Sequence, residues 1–295
     1  MSKARSNALH TTARVALAAS DFASLERIAR ELEKSGLSAG DQDDVGFAHY
    51  YLGVTHFWRG DRSAAEDEYR KGLEIFKRLQ DREGIAEVMV AQAAIPLHFD
   101  LDAETARHRY EAALPAVRQT AEPKLLAIAL GRLGEVCHYS ADYESALGYA
   151  MESANTFLAL EMPASAGVQF VNVAHVHTLR REYAAARDAM RRARDCLWQK
   201  PTTRRVAYYL EMCVTFTAAL HQWETAARLL AFVNRYRYDY DVPRSALPPW
   251  FTENVERISA RFTTERQAEL EREGEALTLE DVPEVIARVA LDAPR

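Results

Sequence analysis

The chain has 295 residues, of which 48% are hydrophobic and 27% are charged, and its formal net charge is −6. This composition excludes a disordered chain, and the acidic balance argues against a protein that binds nucleic acid over its whole surface. The 12 glycines and 10 prolines are few for the length, which favours helix throughout.

Cysteine usage and the N-terminus indicate the compartment. Cys137, Cys196 and Cys213 are odd in number and widely spaced, which predicts reduced thiols in helical cores and argues against a disulfide framework or a zinc cluster. Residues 1–7 lack the hydrophobic core of a signal peptide, and no apolar run approaches the roughly 18 residues of a membrane span. We therefore expect a cytoplasmic protein with no membrane partner.

One pattern recurs along most of the chain. Aligned on an anchor residue that is nearly always small, its copies carry Leu25, Ala65, Ala106, Ala146, Ala186 and Ala226. The successive spacings are 40, 41, 40, 40 and 40 residues. Self-similarity at such a period is typical of an α-solenoid, in which each copy is one helical hairpin.

Other positions of the repeat fit a hairpin. Four residues before the anchor stand acceptor side chains that predict the start of the second helix, namely Asp21, Asp61, Asp102, Asp142, Glu182 and Gln222. Twelve residues before it stand mostly small residues that let the two helices touch, namely Ala13, Gly53, Ala94, Gly134, Ala174 and Val214.

Helix-breaking residues between the copies mark the predicted ends of the helix pairs. The six pairs are placed at 5–34, 44–78, 85–118, 124–159, 164–198 and 204–235, with connectors such as 35–40 between them. We assign residues 1–235 to the solenoid and residues 236–295 to capping helices continuous with it, because the last repeat otherwise exposes an apolar face. Within that tail we expect an amphipathic helix at about 250–262, a cap core of Trp250 and Phe251, and packing of Tyr236, Tyr238 and Tyr240 on the final hairpin.

The residues of the repeat resemble a known family. Leu52-Gly53, Leu133-Gly134, the anchor alanines, Tyr69 and Tyr110 resemble the tetratricopeptide repeat. The longer period is similar to that of the MalT-like helical domain of LuxR-type regulators and signal-transducing NTPases. Residues 224–230 (ETAARLL) and 272–282 resemble the C-terminal tail of those regulators. The resemblance implies an all-α, right-handed solenoid of about six hairpins with C-terminal capping helices, and a role in sensing or interaction.

The chain also departs from that family. It contains no G-x-x-x-x-G-K-[ST] phosphate loop, and too few residues follow Leu277 for a helix-turn-helix. It is therefore expected to be either the repeat part of a larger regulator or a stand-alone protein that binds without hydrolysing. No catalytic motif, cofactor loop or metal signature is found, so we expect a non-enzymatic protein without a cofactor.

The resemblance implies where a ligand binds. In tetratricopeptide folds the first helix of each hairpin lines the concave groove. Transferred to this chain, that geometry selects Tyr50, Trp58, Gln92, His98, Arg132, Glu135, His138, Tyr139, Asn172, His175 and Glu211 as candidate ligand-binding residues. Arg132 would anchor a carboxylate or phosphate. The alternative is that these side chains make hydrogen bonds between repeats or lie on solvated helix faces.

Three functions stay open at this point. The first is an interaction or sensor protein that binds a peptide, a protein or a small effector and relays that state in regulation. The second is a structural scaffold or homo-oligomer that uses the solenoid ends or the convex face. The third is a cryptic catalytic or metal site built from His98, Glu135, His138 and His175, although histidines on stacked helices more often pack. The basic stretch at 180–205 offers positive charge to nucleic acid or to an acidic partner. We do not expect nucleic acid as the partner, because base-reading elements are missing.

Overall fold

The computed structural model describes residues 3–19, 21–240, 242 and 249–289, and this part of the chain is α-helical without a strand. The helices α1 to α16, in chain order, are Lys3–Ala18, Phe22–Ala39, Gln42–Trp58, Arg62–Leu79, Arg82–Ala93, Ile95–Asp100, Ala103–Arg118, Pro123–Tyr139, Tyr143–Ala159, Pro163–Leu179, Tyr183–Leu197, Thr203–Ala219, Trp223–Asp239, Pro249–Ser259, Thr264–Glu275 and Val282–Ala287. None of the described helices is long and apolar enough to cross a membrane.

The chain divides into two compact units, Met1–Asp142 and Tyr143–Arg295. The first, here called unit 1, contains α1 to α8, and the second, unit 2, contains α9 to α16. The core of unit 1 includes the rings of Tyr51 and Phe76, and that of unit 2 includes Phe170, Phe216 and Phe232, all of which are at most 2% exposed. Burial of such rings is the main favourable contribution to the stability of each unit.

The helix pairs follow the predicted period. The second helices begin at Phe22, Arg62, Ala103, Tyr143, Tyr183 and Trp223, three residues before each anchor. The anchors are fully or almost fully buried. Gly53 shows why the position twelve residues earlier is small, since a Cβ atom there would lie 2.5 Å from the ring of Tyr69. The repeat pattern therefore arises from the close contacts between the two helices of each hairpin.

Aspartate side chains cap the starts of second helices. The carboxylates of Asp21, Asp61 and Asp102 each accept a hydrogen bond from the backbone N–H three residues later, at 2.9 to 3.1 Å. Glu182 and Gln222 occupy the same position of the repeat and make no side-chain cap bond. Their side chains are one methylene longer than the Asp and Asn side chains that favour this bond.

Two helices of the repeats extend several residues beyond their predicted ends. Helix α2 was expected to end near residue 34, but it continues to Ala39 and ends at Gly40, whose φ of 72° lies in the left-handed region. The glycine at position 36 does not end the helix. It allows close packing, because a Cβ atom on Gly36 would lie 2.9 Å from Val45 of α3. Helix α13 likewise continues past 235 to Asp239.

The first helix of the third pair is interrupted, which the sequence analysis did not predict. Helix α5 ends at Ala93 and α6 begins at Ile95, with Pro96 in its first turn. Proline lacks an N–H group and clashes with the preceding turn, so a continuous helix is broken there. As a result, His98 and Phe99 lie on the short helix α6.

The described residues of the tail after α13 form three helices in unit 2. Helix α15 packs on α13, where a Cβ atom on Gly274 would lie 2.2 Å from the carbonyl oxygen of Arg228. Helix α14 contacts α12 and α13 and ends at Ser259, earlier than predicted. Phe251 is buried as expected of the cap core, whereas the side chain of Trp250 lies outside the described residues.

The tyrosines that end α13 behave differently from one another. Tyr236 is buried, and the ring of Tyr240 lies 4.6 Å from it. Tyr238 is 87% exposed, so the expectation that it packs on the final hairpin is wrong. Tyr236, two residues earlier, faces the protein, and in a helix a residue two positions away faces elsewhere. Tyr240 is 55% exposed and contacts the final hairpin through the ring of Tyr236.

Candidate functional site on the first helices

In unit 1 an aromatic cluster lies where α3 and α6 meet. It consists of Phe22, Phe57, Trp58, His98 and Phe99, and is called the Trp58 cluster below. Phe57 lies 4.3 Å and Trp58 lies 5.9 Å from His98, measured between ring centroids. Trp58 is 36% exposed, and His98 is also exposed. The cluster therefore presents aromatic surface to solvent, although most of its rings are packed.

A charged pair on α8 lies within electrostatic reach of this cluster. Arg132 Nη1 lies 2.9 Å from Glu135 Oε2, and the two side chains are 49% and 35% exposed. Burial and the Arg132 cation lower the pKa of His98, and the Glu135 carboxylate partly opposes this shift. This shift favours the neutral form of His98, which offers one hydrogen-bond donor and one acceptor.

The other candidates of unit 1 are half-buried. Burial raises the pKa of Tyr50 well above its ordinary value, and the ring of Tyr50 lies 5.3 Å from Tyr51. The side chain of Gln92 is partly accessible. His138 and Tyr139 have ring centroids 5.1 Å apart, and burial lowers the pKa of His138 and raises that of Tyr139. These residues line or support the exposed face and are less accessible than Arg132.

The structure adds a charged group that the sequence analysis missed. Arg14 of α1 lies 3.4 Å from Glu83 and 3.8 Å from Glu87, both on α5. Burial raises the pKa of Glu87 to about 7, even though Arg14 opposes the shift. Neither Arg14 nor Glu87 stands at a position that the repeat alignment selects. Only the packing of the first helices in three dimensions brings them together.

The candidates of unit 2 are mostly inside it. The hydroxyl of Tyr208 donates a hydrogen bond to Asn172 Oδ1 at 2.7 Å, which joins α12 to α10. Glu211 is 1% exposed and forms a buried ion pair with Arg237 of α13. Burial raises the pKa of Glu211, and Arg237 opposes this. In the structure Glu211 therefore joins two helices and does not reach the surface.

His175 borders a cavity of about 330 Å³ between α10, α12 and α14. Its wall consists of His175, Thr178, Leu179, Arg181, Tyr183, Thr215, Ala219, His221, Glu253, Asn254 and Arg257. Asn254 Nδ2 donates a hydrogen bond to Thr215 Oγ1 at 3.3 Å, and this bond attaches α14 to α12. Asn254 was not selected from the sequence, since α14 lies outside the repeats and its amphipathic pattern alone does not identify the helices on which it packs.

The histidines do not form a metal centre in the described ranges. No group of three or more His, Cys, Asp or Glu side chains in them has a geometry that could hold a metal ion. The three cysteines are buried and unpaired, as predicted.

Comparisons with known proteins place the fold. No protein-family profile and no curated protein sequence matches the chain. Solved structures do match. A Rap protein complexed with Competence and Sporulation Factor superposes with a TM-score of 0.63 at 14% identity, over 96% of this chain and 76% of that one. BtubC from P. vanneervenii gives a TM-score of 0.60 at 16% identity, over 77% of this chain and 95% of that one.

A third similar structure contains a tetratricopeptide repeat sensor. It is a signal transduction ATPase with numerous domains and a tetratricopeptide repeat sensor from Pyrococcus horikoshii, with a TM-score of 0.55 at 13% identity. The fold is tetratricopeptide-like. This confirms the predicted all-α helical-repeat class. The match covers 89% of this chain but 42% of the ATPase chain, and identities this low show the fold alone.

Proposed function

We propose that this chain is a non-enzymatic interaction protein that binds a peptide or an extended protein segment on the first helices of unit 1. The observation that carries the proposal is the Trp58 cluster beside the Arg132–Glu135 pair. Exposed Trp and Arg side chains are enriched among the residues that dominate binding energy at protein interfaces. A surface that combines accessible rings with a hydrogen-bonding charge pair suits a short peptide that carries an apolar side chain next to a charged one.

The fold supports a regulatory form of this role. One protein with a similar fold was solved in complex with Competence and Sporulation Factor, and another uses such repeats as a sensor in a signal transduction ATPase. We propose that the present chain likewise reports ligand binding to a partner, through small rotations between neighbouring repeats. Membership of the MalT-like family and a cytoplasmic location are part of the same proposal, the latter supported by three buried, unpaired thiols.

A peptide library tests the proposal. Random peptides displayed on phage are selected on the full chain, and the affinity of enriched peptides is measured by fluorescence polarisation. Trp58→Ala and Arg132→Ala are each expected to weaken binding about tenfold, which corresponds to roughly 1.4 kcal/mol.

The control variant is Arg70→Ala on α4. Arg70 is an exposed arginine that pairs with Asp67 at 3.0 Å, so its removal deletes a comparable surface charge from a second helix. Affinity is expected to stay within twofold of wild type. If no peptide is enriched, or if Arg70→Ala weakens binding as much as Trp58→Ala does, the proposed surface is wrong.

A further inference from the structure

The cavity of unit 2 is lined by polar groups that are held inside the protein. His175, Thr178, Thr215 and Asn254 are each at most 8% exposed. They come from three different helices, α10, α12 and α14. Buried polar side chains that converge on one cavity are typical of a site that orients a small ligand.

The wall of this cavity also carries charges that no ion pair neutralises. Arg181, in the turn after α10, and Arg257, on α14, form no ion pair with a carboxylate among the described residues. Most other arginines of unit 2, such as Arg228 and Arg266, do form such pairs. Glu253 stands on the same wall and has no basic partner within the described part of the chain. The cavity thus offers two guanidinium groups and one carboxylate to a ligand.

We propose that this cavity binds a small zwitterion of the amino acid class. The ligand's carboxylate pairs with Arg181 and Arg257, because a guanidinium group matches the planar geometry of a carboxylate. Its ammonium group pairs with Glu253. Asn254 and His175 form part of the buried wall beside the ligand, where Asn254 also accepts a hydrogen bond from Arg257 Nη1 at 3.5 Å. A volume of about 330 Å³ is at the lower end of ligand cavities and suits a single amino acid, not a folded segment.

Such a ligand would link α14 to the repeats. Arg257 and Glu253 belong to α14, whereas Arg181 follows α10, so the bound zwitterion bridges the two elements. Helix α14 is otherwise attached by the buried side chains of Phe251 and Ile258 and by the hydrogen bond from Asn254 to Thr215. A ligand that binds only the arrangement with α14 in place stabilises that arrangement. The site is separate from the Trp58 cluster and adds an effector input to the molecule.

Calorimetric titration tests the proposal with defined probes. The full chain is titrated with each of the twenty amino acids, with succinate and with inorganic phosphate. At least one amino acid is expected to bind more tightly than succinate and phosphate. Arg181→Gln and Arg257→Gln are each expected to weaken this binding by about tenfold or more. Glu253→Gln is expected to reduce the preference for the amino acid over succinate.

Arg261→Gln is the matched control. Arg257 and Arg261 both lie over the ring of Trp223, at 5.8 and 4.5 Å, but only Arg257 lines the cavity. Arg261→Gln is expected to leave the affinity within twofold of wild type. Amide hydrogen exchange of α14 is expected to slow when the amino acid is bound.

Several results would overturn the inference. The first is that no amino acid binds. The second is that Arg257→Gln and Arg261→Gln lose affinity for the amino acid equally. The third is that phosphate or succinate binds at least as tightly as the best amino acid. Should Arg257→Gln fail to fold, Arg181→Gln decides, since Arg181 lies in an exposed turn. None of these outcomes bears on peptide binding by unit 1, which uses other residues.

Discussion

In unit 1 the ends of α3 and α6 leave Trp58 and His98 exposed, whereas in unit 2 helix α14 packs on α12 and buries Phe251, Asn254 and Ile258. Both regions are built on the same hairpin repeat. They differ because the tail adds helix α14 to the region in unit 2. A helix that lies outside the repeat changes which side chains of the neighbouring first helix remain accessible to solvent. The repeat thus determines the framework, and helices added to it determine whether a face is an open surface or one wall of a cavity.

The largest expected difference between the units is in the free energy of unfolding that is lost when the carboxylate of a charge pair is removed. The side chains of Glu211 and Arg237 are 2% and 6% exposed, so Glu211→Ala removes the carboxylate that pairs with a buried cation and is expected to cost about 3–5 kcal/mol. The exposed pair of unit 1 is the comparison, and Glu135→Ala is expected to cost less than about 1 kcal/mol. Urea denaturation followed by circular dichroism measures both. Equal losses would show that the two units do not differ in this respect.

Glu87 of unit 1 predicts a dependence of stability on pH. Burial raises its pKa to about 7 in the folded chain, from an ordinary value of 4.5. Between these two pH values the folded chain holds a proton that the unfolded chain has lost, so the free energy of unfolding falls as pH rises.

The variant Glu87→Gln removes this titration. The free energy of unfolding of wild type relative to Glu87→Gln is expected to fall by up to about 1.4 kcal/mol per pH unit between pH 4.5 and 7. Denaturation curves at four pH values measure it, with Glu74→Gln, an exposed carboxylate of α4, as the control. Parallel profiles for wild type and Glu87→Gln would contradict the assignment.

Substitution of one helical glycine in each unit tests how tightly the helices of that unit pack. A Cβ atom on Gly53 would lie 2.5 Å from the ring of Tyr69, so Gly53→Ala is expected to cost about 1–3 kcal/mol. Gly148 of α9 has no heavy atom within 4 Å of that position, and Gly148→Ala is expected to stabilise the chain by about 0.5–1 kcal/mol. Thermal denaturation distinguishes the signs. A loss of stability in Gly148→Ala would contradict the open space that the structure shows at this position.

The sequence predicted the framework because its signal is repeated. The anchors, the small position at Gly53 and the cap at Asp61 recur at a fixed period, and each recurrence has a local cause in helix packing or capping. The boundary of α2 was wrong because Gly36 serves a contact with Val45, which is distant from the turn. The break at Pro96 has a local cause, but it was not recognised within a repeat that otherwise favours helix.

The sites were harder to predict for a physical reason. Trp58, His98 and Arg132 could be placed on one face because they stand on equivalent helices of successive repeats. Glu211 was assigned to the same face, but the position alone could not show that Arg237 lies against it. Asn254 joins the cavity only through the packing of α14, which depends on tertiary contacts that occur once in the chain.

Hydrogen exchange of the full chain with and without a library-selected peptide tests the difference between the two units most directly. If the open face of unit 1 is the peptide site, exchange slows at the end of α3 and in α6, residues 95–100, and stays unchanged in α14. Protection confined to α14, or to the second helices α2 and α4, would contradict the assignment of peptide binding to the Trp58 cluster.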